Sequence, residues 1–141
     1  FQVVPGITAA SGCASYAGIP LTHRDHAHSV IFLTGHFKTA EEEPLWSQLV
    51  QDSQTLVFYM SLMNVRAICE RLVAHGMRSD KPAALIQKGT LPDHVVIAGT
   101  LTTLPELVEK SDVRAPTLLI IGDVVSLRDR LNWYQPPPAT E

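Results

Sequence analysis

Apolar positions along this chain fall into two kinds of pattern. Val30-Ile31-Phe32-Leu33, Leu56-Val57-Phe58-Tyr59-Met60, Ala83-Ala84-Leu85-Ile86-Gln87, Val95-Val96-Ile97-Ala98 and Thr117-Leu118-Leu119-Ile120-Ile121 are short apolar runs. Such runs, bounded by polar or turn residues, suit strands, and the first of them suits a strand buried on both faces. Between them the period lengthens. Leu62, Val65, Ile68, Cys69, Leu72 and Val73 form a helical stripe that ends at Gly76, with Ser61 placed to cap it. Ala9, Ala10, Cys13, Ala14 and Ala17 make a second helical face of small residues, stopped by Gly18. Shorter helices are predicted after Pro44, carrying Leu45, Trp46, Leu49 and Val50, and from Leu104 to Lys110. Thr103 and Glu106 have capping-box spacing for the latter. Leu127 to Leu131 reads as a last helical turn.

Val3-Val4 reads as the end of one more strand, turned by Pro5-Gly6, with Thr8 placed to cap the first helix. Strands and helices therefore mostly alternate, which indicates an α/β layer architecture. The link from Gln87 to Val95 is too short for a helical crossover, so those strands should be antiparallel and the sheet mixed. The expected fold is a mixed β-sheet with flanking helices, one unit over residues 1–133, followed by a disordered proline-rich tail over 134–141. A domain that opens on a lone strand end, at Phe1 rather than Met, reads as a fragment.

The chain has 141 residues, 45% hydrophobic and 18% charged, with a net charge of −3. Length and composition fit one domain with a real core. A basic nucleic-acid footprint is absent, and no apolar stretch reaches membrane-span length. Cys13 and Cys69 sit in apolar helical patterns, which favours free thiols in a reducing cytoplasm over a disulfide.

Candidate chemistry is sparse. His23, His26 and His28 cluster around Asp25, but their spacing matches no common zinc pattern, and no metal is expected. Walker A, G-x-G-x-x-G and G-x-S-x-G motifs are all missing. Two places stand out. The Val3–Ala10 joint puts a strand end against a helix N-terminus, an arrangement used for ligands and equally an ordinary strand–turn–helix joint. Arg24, in a polar loop, can pair bidentately with carboxylates or phosphates.

Longer strings carry a resemblance. Val4-Pro5-Gly6-Ile7-Thr8-Ala9-Ala10, Tyr16-Ala17-Gly18-Ile19-Pro20-Leu21-Thr22-His23-Arg24, Thr34-Gly35-His36, Tyr59-Met60, Gln87-Lys88-Gly89-Thr90, Gly99-Thr100-Leu101 and Gly122-Asp123-Val124-Val125 occur in this order. They resemble the uroporphyrinogen-III C-methyltransferases of the tetrapyrrole methylase family, which occur alone or as the C-terminal module of siroheme synthases. The resemblance spans residues 3 to about 133 and implies the C-terminal lobe of a two-lobed fold, dimeric and cytoplasmic. The implied activity is transfer of methyl groups from S-adenosylmethionine to uroporphyrinogen III, giving precorrin-2 and S-adenosylhomocysteine.

Carried over position by position, the resemblance assigns cofactor contacts to Thr8, Ala9, Ala10, Met60, Gly89, Gly99 and Thr100, and more weakly to Pro116 and Thr117. Thr22, His23 and Arg24, together with Tyr59 and Met60, would face the tetrapyrrole substrate, whose carboxylate arms need cationic partners. Ser61 stands where the family commonly has Gly, putting a hydroxyl beside the cleft, and Asp123 where it often has Glu. The family's glycine-rich G-x-G-P-G loop, its G-G-D-P motif and its acid–base residues have no counterpart in these 141 residues, so no catalytic residue is assigned and the chain by itself is expected to be inert. Two alternatives remain: a methyltransferase for a later cobalamin-pathway precorrin, and a module for cofactor binding or dimerisation only.

Overall fold

The computed structural model describes residues 1–37 and 43–135. Its elements are α1 (Ala9–Ala17), β1 (Ser29–Thr34), α2 (Trp46–Leu49), β2 (Gln54–Tyr59), α3 (Val65–Ala74), β3 (Pro82–Gln87), β4 (Val95–Thr100), α4 (Leu104–Glu109), β5 (Thr117–Ile121) and α5 (Arg128–Leu131), with 3-10 turns at Leu62–Asn64 and Asp123–Leu127. The five strands form one sheet in the order β1-β2-β5-β3-β4. β1 and β2 are parallel, and every other neighbouring pair is antiparallel. The mixed α/β sheet and the antiparallel β3–β4 pair are those the sequence predicts.

Alternation along the strands divides the core in two. Leu56 and Phe58, Ala83 and Leu85, and Leu119 and Ile121 pack with α2, α3 and α4 on one face. Val57, Ala84, Ile86, Leu118 and Ile120 pack with Ala10, Ala14 and Ala17 of α1 and with Val124 on the other. The alanine stripe thus lets α1 lie close on the sheet. Gly18 ends the helix at φ +67°, and the Ile19 N–H returns to the Ala14 carbonyl at 2.9 Å. Cys13 and Cys69 lie on opposite faces of the sheet as free thiols. Burial pushes the Cys69 thiol up to about 12.

Several expectations are corrected. Val3 and Val4 form no strand; they are 84% and 85% exposed, and a strand needs a neighbour to pair with. β1 is an edge strand rather than one buried on both faces, with Phe32 half exposed. The predicted hydroxyl caps do not form either. The Ser61 hydroxyl donates to the Phe58 carbonyl at 3.4 Å, and α3 starts only at Val65. Thr103 Oγ1 accepts the Thr100 N–H at 2.9 Å. For Ser61 and Thr103 a neighbouring backbone group competes successfully for the side chain, whereas the Thr8 hydroxyl meets that of Tyr59.

The C-terminal segment packs back on α1. Trp133 Nε1 donates to the Ser15 carbonyl at 2.8 Å, and the Tyr134 ring lies 4.8 Å from that of Tyr16. Packing therefore continues one residue past the expected boundary at 133. The predicted disordered tail from Pro136 onward lies outside the described residues. At the start of the strands, buried Lys81 donates to the Asp123 carboxylate and to the Asp52 carbonyl, both at 2.9 Å. Arg78 also pairs with Asp123. Among the described residues no helix is long and apolar enough to cross a membrane.

Candidate functional site

β2 ends, β3 ends and β5 begins at the same end of the sheet, because Tyr59 pairs with Leu118 and Gln87 with Thr117. The N-terminus of α1 arrives there too. Between these elements opens a cleft of about 620 Å³, largely apolar, within the size range of small-molecule sites. Ala9 and Cys13 of α1 form one wall. Met60, Leu62 and Met63, following β2, form another, and Gly89 and Leu91 of the β3–β4 loop a third. Ala115, Pro116 and Thr117 complete it.

Backbone conformation marks this place. The non-glycine residues with positive φ among those described are Met60 (52°), Lys88 (49°) and Thr90 (76°), at the cleft or beside it. Such conformations cost free energy, so their gathering around one cavity points to a built site. Met60 is held 69% exposed, and Met63 and Leu91 are exposed as well. Gly89 lies directly against Cys13, leaving no room for a side chain. Burial, the largest influence, raises the Cys13 thiol above its ordinary pKa, so it acts as an apolar wall rather than a nucleophile. At the rim Lys88 pairs with Asp93 and, chiefly through that hydrogen bond, holds the carboxyl below its usual range.

Of the residues singled out in the sequence, Ala9, Tyr59, Met60, Gly89, Pro116 and Thr117 come together around this cleft. Thr8 and Ala10 join through a shared partner, the Tyr59 hydroxyl, which meets Thr8 Oγ1 and accepts the Ala10 N–H at 3.1 Å. The Ala10 side chain itself is fully buried against the sheet.

Other residues lie elsewhere. Gly99 and Thr100 pair with Ala83 and Pro82, at the far end of the strands. The loop with Thr22, His23 and Arg24 leads into Ser29, which pairs with Gln54 at that same far end. A six-residue strand separates the two ends by about 17 Å. This loop is held by its own contacts: the His23 N–H donates to the Ala27 carbonyl at 2.9 Å, and His28 Nε2 to the Arg24 carbonyl at 2.8 Å. Among the described residues no group of three His, Cys, Asp or Glu side chains could hold a metal ion. Ser61 is fully buried against Gly35, so its hydroxyl is not beside the cleft.

Cys13, Leu62, Met63 and Leu91 escaped the sequence reading. Cys13 had a visible signal, since it stands one helical turn after Ala9 and shares its face. Leu62 reads in the sequence as the start of the α3 stripe, whereas it falls in the 3-10 turn before that helix, and Met63 and Leu91 lie outside any periodic pattern.

A fold of this order with a cleft at the strand ends is that of a family. The family profile described as Tetrapyrrole (Corrin/Porphyrin) Methylases matches residues 1–105, and the chain belongs to this family. Among curated relatives, the siroheme synthase of Ectopseudomonas mendocina is 60% identical over 135 residues, covering 96% of this chain. The chain spans only 29% of that relative's length. Among solved structures, a uroporphyrin-III C-methyltransferase from Thermus thermophilus is 36% identical with a TM-score of 0.75, over 93% of this chain and 55% of that one. Another structure of that enzyme, complexed with S-adenosylhomocysteine, is 28% identical with a TM-score of 0.71, over 89% of this chain and 54% of that one.

Proposed function

We propose that the protein carrying this chain methylates ring carbons of uroporphyrinogen III with S-adenosylmethionine, giving precorrin-2 for siroheme and cobalamin synthesis. The observation that carries this reading is the meeting of Ala9, Met60 and Gly89 around one apolar cleft, in a chain of this family. The solved relative with S-adenosylhomocysteine supports it.

The residues suit the cofactor. A flat purine needs smooth walls, which Ala9 and Gly89 provide. Its sulfur centre would meet the polarizable, apolar side chains of Met60, Met63 and Leu91. Bound there, S-adenosylmethionine would supply an electrophilic methyl group on a sulfonium sulfur. The apolar side chains of Met60, Met63 and Leu91 would keep water away from that methyl group, and the close walls at Ala9 and Gly89 would fix how it is presented to a pyrrole carbon. Transfer then needs mainly orientation, and within these residues we assign no acid or base.

Arg24, with Thr22 and His23, keeps its proposed role toward the tetrapyrrole carboxylate arms, which it would meet from the opposite end of the sheet to the cleft. We further propose a cytoplasmic homodimer, and no turnover by the 141 residues alone.

The test is the full-length protein with uroporphyrinogen III and S-adenosylmethionine, read by mass spectrometry. Two added methyl groups are expected. Binding of S-adenosylhomocysteine without methylation of uroporphyrinogen III would turn the reading toward a later precorrin. Absence of both would overturn it.

A further inference from the structure

We infer that Tyr59 is a positioning residue that sets the cofactor wall of the cleft through α1, rather than a group that contacts the tetrapyrrole. This rests on the methyltransferase reading above and deepens it.

Tyr59 is the last residue of β2, and its ring is packed edge-on against Phe32 with centroids 6.4 Å apart. Its hydroxyl points away from that ring to the start of α1, about fifty residues earlier in sequence. There it accepts the Ala10 N–H at 3.1 Å and meets Thr8 Oγ1. The Ala10 N–H is one of the first-turn donors that a helix cannot satisfy itself. The ordinary solution is the side chain of the capping residue, yet Thr8 makes no such bond. The phenol therefore does the capping from another element.

A phenolic O–H has a single hydrogen. Whether that hydrogen or the one on Thr8 Oγ1 bridges the two hydroxyls, the Tyr59 oxygen also accepts from Ala10 and is held at the start of α1. The residue between the two clamped positions is Ala9, which lines the cleft. Fixing Thr8 and Ala10 fixes Ala9 relative to Met60, which follows Tyr59 directly at φ +52°. One hydroxyl thus sets the spacing between two walls of the cleft.

The test uses the full-length protein and the variants Tyr59→Phe, Thr8→Val and their combination. Affinity for S-adenosylhomocysteine is measured by calorimetry, KM for uroporphyrinogen III by assay, and folding by thermal midpoint. Tyr59→Phe keeps the ring packing and removes only the clamp. Its affinity should fall about tenfold, the scale of one lost hydrogen bond, with KM for the tetrapyrrole unchanged. Because the hydroxyls act as a pair, the double variant should lose less than the product of the two single losses. A raised tetrapyrrole KM with cofactor affinity intact would make Tyr59 a substrate-binding residue and overturn the inference, as would no change in either. If Tyr59→Phe fails to fold, the same cofactor-selective loss in Thr8→Val supports the clamp, and its absence overturns it. A wild-type protein that binds no S-adenosylhomocysteine defeats the methyltransferase reading itself, and the inference falls with it.

Discussion

Gly89 and Cys13 approach so closely that a Cβ on Gly89 would lie 2.8 Å from the Cβ of Cys13 and 2.9 Å from its Cα. One of the two is the backbone of α1, which a rotamer change cannot move aside. The missing side chain at Gly89 is therefore what allows the β3–β4 loop to rest on α1.

Gly89→Ala should push α1 and the loop apart. Overpacking of this kind costs about 1–3 kcal/mol, and affinity for S-adenosylhomocysteine should fall with stability. Cys13→Gly in the same chain removes the clashing side chain but leaves the helix backbone in the way, so it should restore part of each. Urea denaturation and calorimetry on the two variants measure this. Full affinity in Gly89→Ala alone would mean that the close approach of loop and helix does not shape the cleft.

At the opposite end of the sheet, Lys81 is buried with its charge on Asp123 and the Asp52 carbonyl. Asp123→Asn leaves that ammonium without its main counter-charge and should cost about 3 kcal/mol, since unpairing a buried ion pair costs more than the pair contributes. Adding Lys81→Met should recover much of the loss. Denaturant midpoints decide it, and a loss in the double variant equal to that of Asp123→Asn would rule out the pairing as the cause.

His94 predicts an acid-side dependence. Burial first, and the Arg128 charge second, hold its imidazole below the ordinary value of 6.5. The folded state then favours the neutral ring, so the stabilisation is fully present above pH 6.5 and is lost as pH falls through the lower folded value. His94→Gln should flatten the stability profile on the acid side of pH 6.5. The Lys88–Asp93 pair acts in a separate window, below pH 3.8, where the carboxylate protonates.

Arg24 lies on the far-end loop, away from the cleft. Arg24→Ala in the full-length protein should raise KM for the tetrapyrrole several-fold and leave affinity for S-adenosylhomocysteine unchanged. Steady-state kinetics beside calorimetry test this. An unchanged KM would remove Arg24 from the substrate site.

What could be read ahead of the structure follows from how local each signal is. The α3 stripe, the short Gln87–Val95 link and the apolar β5 run needed only near neighbours, and each formed its expected element. Val3-Val4 had strand chemistry but no adjacent strand. Thr8, Ser61 and Thr103 stood at plausible cap positions, yet their hydroxyls took partners that spacing does not reveal, in one case 51 residues away. Nothing in the sequence marks Lys81 as buried, because polarity says nothing about an aspartate 42 positions later. At the cleft, Ala9, Met60 and Gly89 were legible from the resemblance, and Cys13 from its place one helical turn after Ala9, although its contact with Gly89 needed the fold. Gly99-Thr100 had the same kind of motif support, and the register carries it to the other end of the sheet.

β5 is the last strand in the chain but the middle one in the sheet. Until residues 117–121 are in place, β1–β2 and β3–β4 are two separate ribbons, each exposing an apolar edge. Met60 belongs to one ribbon and Gly89 to the other. The cleft thus depends on a long-range strand insertion, a class of pairing that closes slowly. A chain stopped short of residue 117 would carry most of the cleft's residues and have no cleft.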